Sequence, residues 1–160
     1  MSKLNEECGI FGIFEAEEAA VHTTLGLHAL QHRGQEGAGI VSFDGKSFYS
    51  IKKEGLVGDN FNNTEILSQL PGNTAIGHVR YSTTGESKSE NLQPLFANLA
   101  LGGFACAHNG NLTNTKSLKK KLVDTGSIFQ TTSDTELILQ LVARSKKRKL
   151  IDKLIDALYQ

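Results

Sequence analysis

The chain lacks long apolar runs, a cysteine framework and any excess of charge of one sign. No apolar run approaches the roughly 20 residues that cross a membrane, and the short polar leader has no apolar core like that of a secretory signal. Two cysteines, Cys8 and Cys106, are too few for a disulfide framework. We therefore expect a protein of the reducing cytoplasm that has no membrane partner.

Charge is balanced, because Lys plus Arg and Asp plus Glu each total 17. This balance gives no general attraction to nucleic acid, so we expect no nucleic-acid partner. The basic run Lys146–Lys149 is typical of a solvated helix face or loop. The histidines and cysteines show no zinc-site spacing, and we therefore predict no metal in this domain.

Proline is scarce, with two residues against 16 glycines, which predicts tight turns and close backbone approaches. Short β-branched and aromatic runs predict strands at Gly9–Phe14, Gly39–Phe43, Phe48–Lys52, Asn73–Ser82 and Leu99–Ala107. Helical periodicity predicts helices at Ala19–His32 (with Val21, Leu25, Leu27 and Leu30 on or near one face), at Asn114–Val123, at Ser133–Arg144 and at a last segment marked by Leu150, Ile151, Leu154, Ile155 and Leu158. Ser133 and Glu136 form a capping-box pattern at the start of the third helix. This order of elements indicates an α+β layered fold rather than alternating βαβ units.

The most informative residue is Cys8, which follows a seven-residue polar leader. Cleavage of the Glu7–Cys8 bond would place a thiol and a free α-amine on one residue. The amine, with a pKa of roughly 7.7–8.0, can then take the proton of the thiol nucleophile. The alternative is a structural cysteine buried at the start of a strand, since free cysteine commonly behaves as a small apolar residue.

Three polar segments also suggest chemistry, and each has a structural alternative. Arg80 ends a predicted strand, where its planar fork suits either a carboxylate ligand or a surface ion pair. Asn109 and Gly110 form a turn signal, and their amide and backbone N–H groups also suit an oxyanion hole. Asp134 lies at a helix start, where the helix dipole favours a carboxylate that can also hold an ammonium group.

A thiol, an oxyanion hole, an arginine and an aspartate together suit one kind of ligand. An α-amino acid whose side chain ends in an amide would use all four groups. The residues therefore predict acyl transfer from glutamine or asparagine to Cys8, with release of ammonia. Spacing in the sequence leaves open whether the four groups converge in space.

Five segments in register carry a resemblance to a known family. They are CGIFGI from Cys8, QHRGQE from Gln31, HVRYSTTG from His78, HNGNL from His108 and TTSDTE from Thr131. In this order they resemble the N-terminal glutaminase domain of the amidophosphoribosyltransferase family, as do EGLVGDNF and ENLQPLF. The QHRGQE segment favours this family over glucosamine-6-phosphate synthase, asparagine synthetase and glutamate synthase, which share the class II glutaminase.

The resemblance implies a fold and a role for each matching residue. The fold is the four-layer αββα sandwich of N-terminal-nucleophile hydrolases. Cys8 is the nucleophile once residues 1–7 are removed, and Asn109 with Gly110 forms the oxyanion hole. The implied glutamine-binding residues are Arg80 for the α-carboxylate, Asp134 for the α-ammonium, Arg33 and Gly34 in a loop that closes over the substrate, and Tyr81 and Thr83 lining the pocket.

The resemblance also implies a leader at residues 1–7 and a class II glutaminase domain at residues 8–160, which we expect to be truncated at its C-terminal end. In the family, ammonia passes to a C-terminal phosphoribosyltransferase domain that makes 5-phosphoribosylamine from phosphoribosyl pyrophosphate, opening purine synthesis. We expect that domain to be absent from this chain. We expect glutamine as substrate, no cofactor in this domain, Mg²⁺ in the transferase domain, any iron–sulfur cluster outside this chain, and a homo-oligomer at full length.

Three alternatives remain open. The first is a different class II amidotransferase. The second is a hydrolytic N-terminal-nucleophile enzyme, which would not need the pair of Arg80 and Asp134. The third is a non-catalytic module that binds glutamine without turnover and keeps its leader.

Overall fold

A computed structural model describes residues 8–81 and 89–160. The predicted leader, residues 1–7, and the predicted pocket residue Thr83 lie outside the described residues. Within the described ranges, no helix has the length and apolar character needed to span a membrane. The same residues contain no group of three His, Cys, Asp or Glu side chains arranged to hold a metal ion.

The described chain divides into two compact units. The first contains the described residues up to Pro94 together with Ala107–Asn109. The second contains Leu95–Cys106 and Gly110–Gln160. The chain therefore passes from one unit to the other three times, and the neighbours Asn109 and Gly110 belong to different units.

The sheet of the first unit is formed by β1 (Gly9–Ile13), β2 (Gly37–Phe43), β3 (Phe48–Glu54) and β4 (Thr74–Arg80). These four strands are antiparallel and lie in the order β1–β4–β2–β3. Asp44 closes the β2–β3 hairpin by accepting the backbone N–H groups of Lys46 and Ser47, each at 2.8 Å. The four predicted strands are confirmed to within two residues at each end.

Helix α1 (Ala19–Ala29) packs on this sheet through small side chains. Its buried residues are Ala19, Ala20, Thr23 and Leu27. A Cβ added to Gly26 would lie 2.3 Å from the ring of Phe11 in β1, so the helix and the strand approach too closely for a larger residue. The contact therefore depends on small residues as much as on leucines.

The prediction for this helix was wrong in two respects. The helix ends at Ala29 rather than His32 and is followed by a 3₁₀ turn at Gln31–Arg33. Leu25, expected on or near the apolar face, is 62% exposed. Apolar periodicity misled the prediction because the stripe that faces the sheet is made largely of alanine, threonine and glycine. Two further one-turn helices, α2 (Val57–Asn60) and α3 (Thr64–Leu67), were not predicted.

The other face of the same sheet receives the segment that contains Gln93. A Cβ added to Gly39 would lie 2.3 Å from the carbonyl oxygen of Gln93, so this close approach requires glycine. Gly39 pairs with His78 across β2 and β4, and directly paired residues share a face of a sheet. Arg80, two residues further along β4, lies on that face as well. Gln93, His78 and Arg80 are thus placed on one side of the sheet.

The second unit contains the antiparallel hairpin β5 (Leu95–Leu99) and β6 (Gly102–Cys106), with the helices α4 (Thr115–Asp124), α5 (Thr135–Arg144) and α6 (Leu150–Leu158). Its core joins apolar residues of all three helices with partly buried residues of the hairpin. Each unit thus combines a sheet with packed helices, which confirms the predicted α+β class.

Two predictions for the second unit were wrong in detail. The single strand predicted from Leu99 to Ala107 is the second half of a hairpin, and Gly102 begins β6 with a φ of +115°. Helix α5 begins at Thr135 rather than Ser133. The Glu136 carboxylate, expected to complete a capping box, instead accepts the backbone N–H groups of residues 130 and 131 at 2.7–3.2 Å. The carboxylate thus binds the loop that precedes the helix.

Candidate active site

Cys8 immediately precedes β1, and its thiol lies against the backbone that follows β4. The Cys8 Sγ donates to the carbonyl oxygen of Tyr81 at 3.4 Å and accepts the backbone N–H of Tyr81 at 3.3 Å. Strand pairing explains this contact, because Gly9 lies opposite Val79 and the start of β1 therefore lies beside the end of β4. The sheet thus brings together two residues that are 73 positions apart.

Arg33 holds Cys8 through two hydrogen bonds. The backbone N–H of Cys8 donates to the Arg33 carbonyl at 2.9 Å, and the Arg33 Nε donates to the Cys8 carbonyl at 2.8 Å. Cys8 has a φ of +70°, a left-handed conformation that costs a non-glycine residue roughly 1–2 kcal/mol. The two bonds offset this cost and fix the backbone that carries the thiol.

The loop that contains Arg33 is itself held closely against β4. A Cβ on Gly34 would lie 2.7 Å from the carbonyl carbon of Arg80, so only glycine fits there. The Gln31 amide donates to the Gly34 carbonyl and accepts the backbone N–H of Val57 at 2.6 Å. Close packing on one side and the Gln31 amide on the other therefore position Arg33 beside Cys8.

Arg80 is half-buried, which argues against a simple surface ion pair. Its Nη1 donates to the carbonyl oxygen of Asn91 at 2.9 Å, and its Nε lies 3.9 Å from the Glu36 carboxylate. The Nε N–H is buried without a hydrogen-bond partner among the described residues. The guanidinium is thus oriented by its neighbours and retains donor capacity that a carboxylate ligand can use.

Asn109, in the first unit, is held by residues that the sequence analysis did not assign to the site. Its Oδ1 lies 3.0 Å from the Nε2 of His78, a side chain that is 1% exposed. The side-chain amide of Gln93 bonds both backbone groups of the preceding residue, His108. Both His78 and Gln93 lie in motifs that carried the resemblance, but nothing in the spacing pairs either one with the HNGNL segment.

Gly110 and Asp134 lie in the second unit. Gly110 has a φ of +131°, which favours glycine at the turn. The Oδ2 of Asp134 accepts the backbone N–H of Leu112 at 2.9 Å, which ties the start of α5 to the HNGNL segment. A carboxylate can accept several hydrogen bonds, so this contact is compatible with an ammonium ligand as well.

The structure thus gathers Cys8, Arg33, Gly34, Arg80 and Tyr81 at one end of the first sheet. Asn109 belongs to the same unit, where it contacts His78. The side chain of Tyr81 is 47% exposed, and it is the backbone of this residue that contacts the thiol.

The second cysteine, Cys106, has a different environment. It is half-buried in β6 and packs against the core of the second unit. Burial raises the pKa of its thiol to about 11. Cys106 therefore stays protonated at neutral pH and is unsuited to act as a nucleophile.

Known proteins are similar to this chain over most of its length. A family model described as the glutamine amidotransferase domain matches residues 78–156. The amidophosphoribosyltransferase of Rhizobium etli is 58% identical over 157 residues, which cover 98% of this chain and 32% of the relative. The amidophosphoribosyltransferase of Lacticaseibacillus casei is 49% identical over 155 residues, which cover 97% of this chain and 80% of the relative.

Two solved structures share the fold. One, described as the allosteric regulatory enzyme of purine biosynthesis, is 50% identical with a TM-score of 0.88, and the match covers 94% of this chain and 32% of the other. The glutamine phosphoribosylpyrophosphate amidotransferase from B. subtilis, solved with ADP and GMP, is 48% identical with a TM-score of 0.86 and the same coverage. These matches confirm the predicted fold class, that of the N-terminal-nucleophile hydrolases.

The fold and the family match together define a glutamine amidotransferase domain with a cysteine immediately before its first strand. More narrowly, the chain belongs to the amidophosphoribosyltransferase family, as the resemblance predicted. The chain spans about a third of the length of the R. etli relative and of both solved structures.

Proposed function

We propose that this chain is the glutaminase part of an enzyme that supplies ammonia from glutamine for the synthesis of 5-phosphoribosylamine in purine biosynthesis. The observation that carries the proposal is the position of Cys8 in a chain of this family, where the Tyr81 backbone contacts its thiol and Arg33 bonds its backbone. Glutamine is the substrate, and the cytoplasm is the site of action.

The first step is activation of the thiol. Removal of residues 1–7 turns the Cys8 nitrogen into a free amine, which takes the thiol proton directly or through a water. The same nitrogen lies 2.9 Å from the Arg33 carbonyl oxygen. That oxygen is suited to stabilise the ammonium form of the amine, because hydrogen bonds to charged groups are stronger than neutral ones.

The thiolate then attacks the side-chain carbonyl carbon of glutamine. The carbonyl oxygen becomes an oxyanion, which accepts hydrogen bonds from the Asn109 amide and the Gly110 N–H. The carbon–nitrogen bond breaks, and the proton held by the Cys8 amine passes to the leaving group, which departs as ammonia. Water hydrolyses the γ-glutamyl thioester to glutamate and restores the thiol.

Recognition of the amino-acid end falls to charged residues. The Arg80 guanidinium binds the α-carboxylate, and Asp134 binds the α-ammonium. The resemblance assigns Arg33 and Gly34 to a loop that closes over glutamine, and Tyr81 and Thr83 to the lining of the pocket. Binding at the amino-acid end places the amide carbon at the thiol, which lowers the entropic part of the barrier.

The second half-reaction needs more than these residues. We assign it to a phosphoribosyltransferase domain, beyond the described residues, that uses Mg²⁺ and phosphoribosyl pyrophosphate in a homo-oligomeric enzyme. The glutaminase step itself requires no cofactor, and any iron–sulfur cluster lies outside this chain.

Mass spectrometry tests the glutaminase proposal. The purified natural protein is weighed intact, before and after treatment with a diazo-ketone analogue of glutamine. We expect loss of residues 1–7 and one adduct on Cys8. The Cys106→Ala variant, a matched control for the second thiol, should be labelled and turn over glutamine like the unaltered protein, whereas Cys8→Ala should do neither.

The outcomes separate the alternatives. Turnover by Cys8→Ala, or by a protein that retains its leader, would refute the mechanism. Glutamine binding without an adduct would indicate a non-catalytic module. Hydrolysis of other amides at a rate independent of glutamine would indicate a different N-terminal-nucleophile hydrolase.

A further inference from the structure

His78 and Asn109 form a buried pair whose function the proposed mechanism does not include. The Nε2 of His78 lies 3.0 Å from the Oδ1 of Asn109. The imidazole is 1% exposed, and its Nδ1 is buried without a hydrogen-bond partner among the described residues. Among the residues that the structure describes, the hydrogen-bond partner of this imidazole is the Asn109 side-chain amide.

The protonation state of His78 follows from its surroundings. Burial lowers the pKa of the imidazole to about 4 and outweighs the hydrogen bond with Asn109, which acts to raise it, while Arg80 and His108 add to the lowering. The ring is therefore neutral near pH 7, and one nitrogen carries the proton. A proton on Nδ1 would leave a buried donor unpaired, whereas a proton on Nε2 is donated to Asn109. The contacts favour the Nε2–H form.

This bond determines which end of the Asn109 amide is occupied. With Nε2–H as donor, the amide oxygen accepts and both N–H groups of Asn109 stay available. With the amide reversed, one of those N–H groups would be used by the imidazole. An oxyanion hole needs hydrogen-bond donors. Only the arrangement in which the His78 Nε2–H donates to the amide oxygen leaves both N–H groups of Asn109 available as donors.

The backbone beside Asn109 is fixed as well. The Nε2 of Gln93 donates to the His108 carbonyl at 3.1 Å, and the Gln93 Oε1 accepts the His108 N–H at 2.7 Å. Gln93 in turn lies against Gly39, at a distance that leaves no room for a Cβ. Gln93 thus holds the backbone of His108, and His78 holds the side chain of Asn109.

We propose that His78 is a positioning residue, which donates its Nε2–H to the side-chain oxygen Oδ1 of Asn109 and keeps both N–H groups of that side-chain amide free to stabilise the oxyanion. The proposal rests on the proposed glutaminase function, because Asn109 acquires its donor role there. His78 makes no contact with substrate in this scheme and acts through Asn109.

Two substitutions separate the donor from the shape of the ring. His78→Gln keeps an N–H near the Nε2 position, whereas His78→Phe keeps a planar ring and removes the donor. Loss of one oxyanion donor lowers kcat by about 10²–10³. We expect His78→Phe to lower kcat by at least about tenfold with the KM for glutamine nearly unchanged, and His78→Gln to recover most of the loss. His22→Phe, which alters an exposed histidine on α1, is the matched control and should leave kcat unchanged.

A double-mutant cycle tests whether the effect passes through Asn109. In an Asn109→Ala background, His78→Phe should lower kcat no further. A full additional loss there would overturn the proposal, as would a wild-type kcat for His78→Phe in a protein that turns over glutamine. If His78→Phe kept the wild-type kcat, the glutaminase function would stand and only the positioning role of His78 would be refuted.

NMR spectroscopy tests the His78–Asn109 hydrogen bond independently of activity. Absence of glutaminase activity in the unaltered protein would refute the proposed function, and the NMR result would still test the hydrogen bond. The ¹⁵N signals of the imidazole should show the Nε2–H form at pH 7. The side-chain NH₂ signal of Asn109 should shift in His78→Phe and return in His78→Gln. The proposal would be overturned if His78 carried its proton on Nδ1, or if the Asn109 NH₂ signal were the same in both variants as in the unaltered protein.

Discussion

Replacement of Arg33 by alanine tests how the nucleophile is held. The substitution removes the Nε donor from the Cys8 carbonyl but keeps the carbonyl oxygen of residue 33, which accepts the Cys8 N–H. In the proposed mature enzyme, cleavage of residues 1–7 leaves both of these Cys8 groups in place, so the same two contacts can hold Cys8. We expect the Cys8 backbone to move away from the position in which the thiol contacts Tyr81.

The contacts set the size of the effect. A hydrogen bond from a charged donor contributes about 1.5–3 kcal/mol, and each 1.4 kcal/mol is tenfold in rate. Because Arg33 is only partly buried, water screens part of the interaction, and we take the lower end of the range. Arg33→Ala should therefore lower kcat by about tenfold, while the KM for glutamine changes less.

The assay is steady-state glutaminase kinetics together with the rate at which the diazo-ketone analogue labels Cys8. Arg144→Ala is the matched control, because Arg144 also donates to a backbone carbonyl, that of Thr125 in the second unit. We expect that variant to lower Tm and leave the labelling rate unchanged. If Arg33→Ala raises only KM, Arg33 serves the substrate loop and not the nucleophile; unchanged kinetics would refute both roles.

Three further substitutions give distinct outcomes. Gly34→Ala places a methyl group within 2.7 Å of the β4 backbone and should reduce the free energy of unfolding by about 1–3 kcal/mol in urea titrations, whereas Gly58→Ala, with its nearest contact at 3.7 Å, should not. Asp134→Asn keeps an acceptor for Leu112 but loses the charge, so the KM for glutamine should rise by about tenfold with little change in Tm; an unchanged KM would exclude ammonium binding. The folded pKa of His78, about 4, lies below its ordinary 6.5, so the stability it contributes is complete above pH 6.5 and is lost as pH falls toward 4, by about 3 kcal/mol. Unfolding free energies of His78→Gln should lack this component, and parallel pH profiles for the two proteins would contradict the assignment.

The strands of the first unit were predictable because their signals are local. Short β-branched and aromatic runs predict β2 and β3, and these two strands pair as a hairpin in the structure. The strand with Leu99 and Gly102 was extended too far, because an apolar run gives no sign of the turn inside it. Gly102, with its positive φ, marks that turn, but glycine is also common next to a close backbone approach.

Helix α1 shows a different limit. Leucine periodicity assumes that apolar bulk faces the core, yet α1 lies so close to β1 that Gly26 is needed against Phe11. Small residues are then selected for the contact, and Leu25 is left exposed. A pattern based on hydrophobicity cannot identify such a helix face, because alanine, threonine and glycine occur on exposed faces too.

The candidate active-site residues also divide into those that local sequence reveals and those that only the fold reveals. Cys8, Arg80, Asn109 and Asp134 have chemistry that short motifs reveal, so the sequence was enough to nominate them. His78 and Gln93 make contacts that only the folded chain creates, since His78 meets a partner 31 positions away and Gln93 meets one 15 positions away. Their side chains resemble ordinary core or turn residues in the sequence. What distinguishes them is that each bonds to the segment at Asn109, so a substitution that preserves bulk but not the hydrogen bond should affect catalysis more than stability.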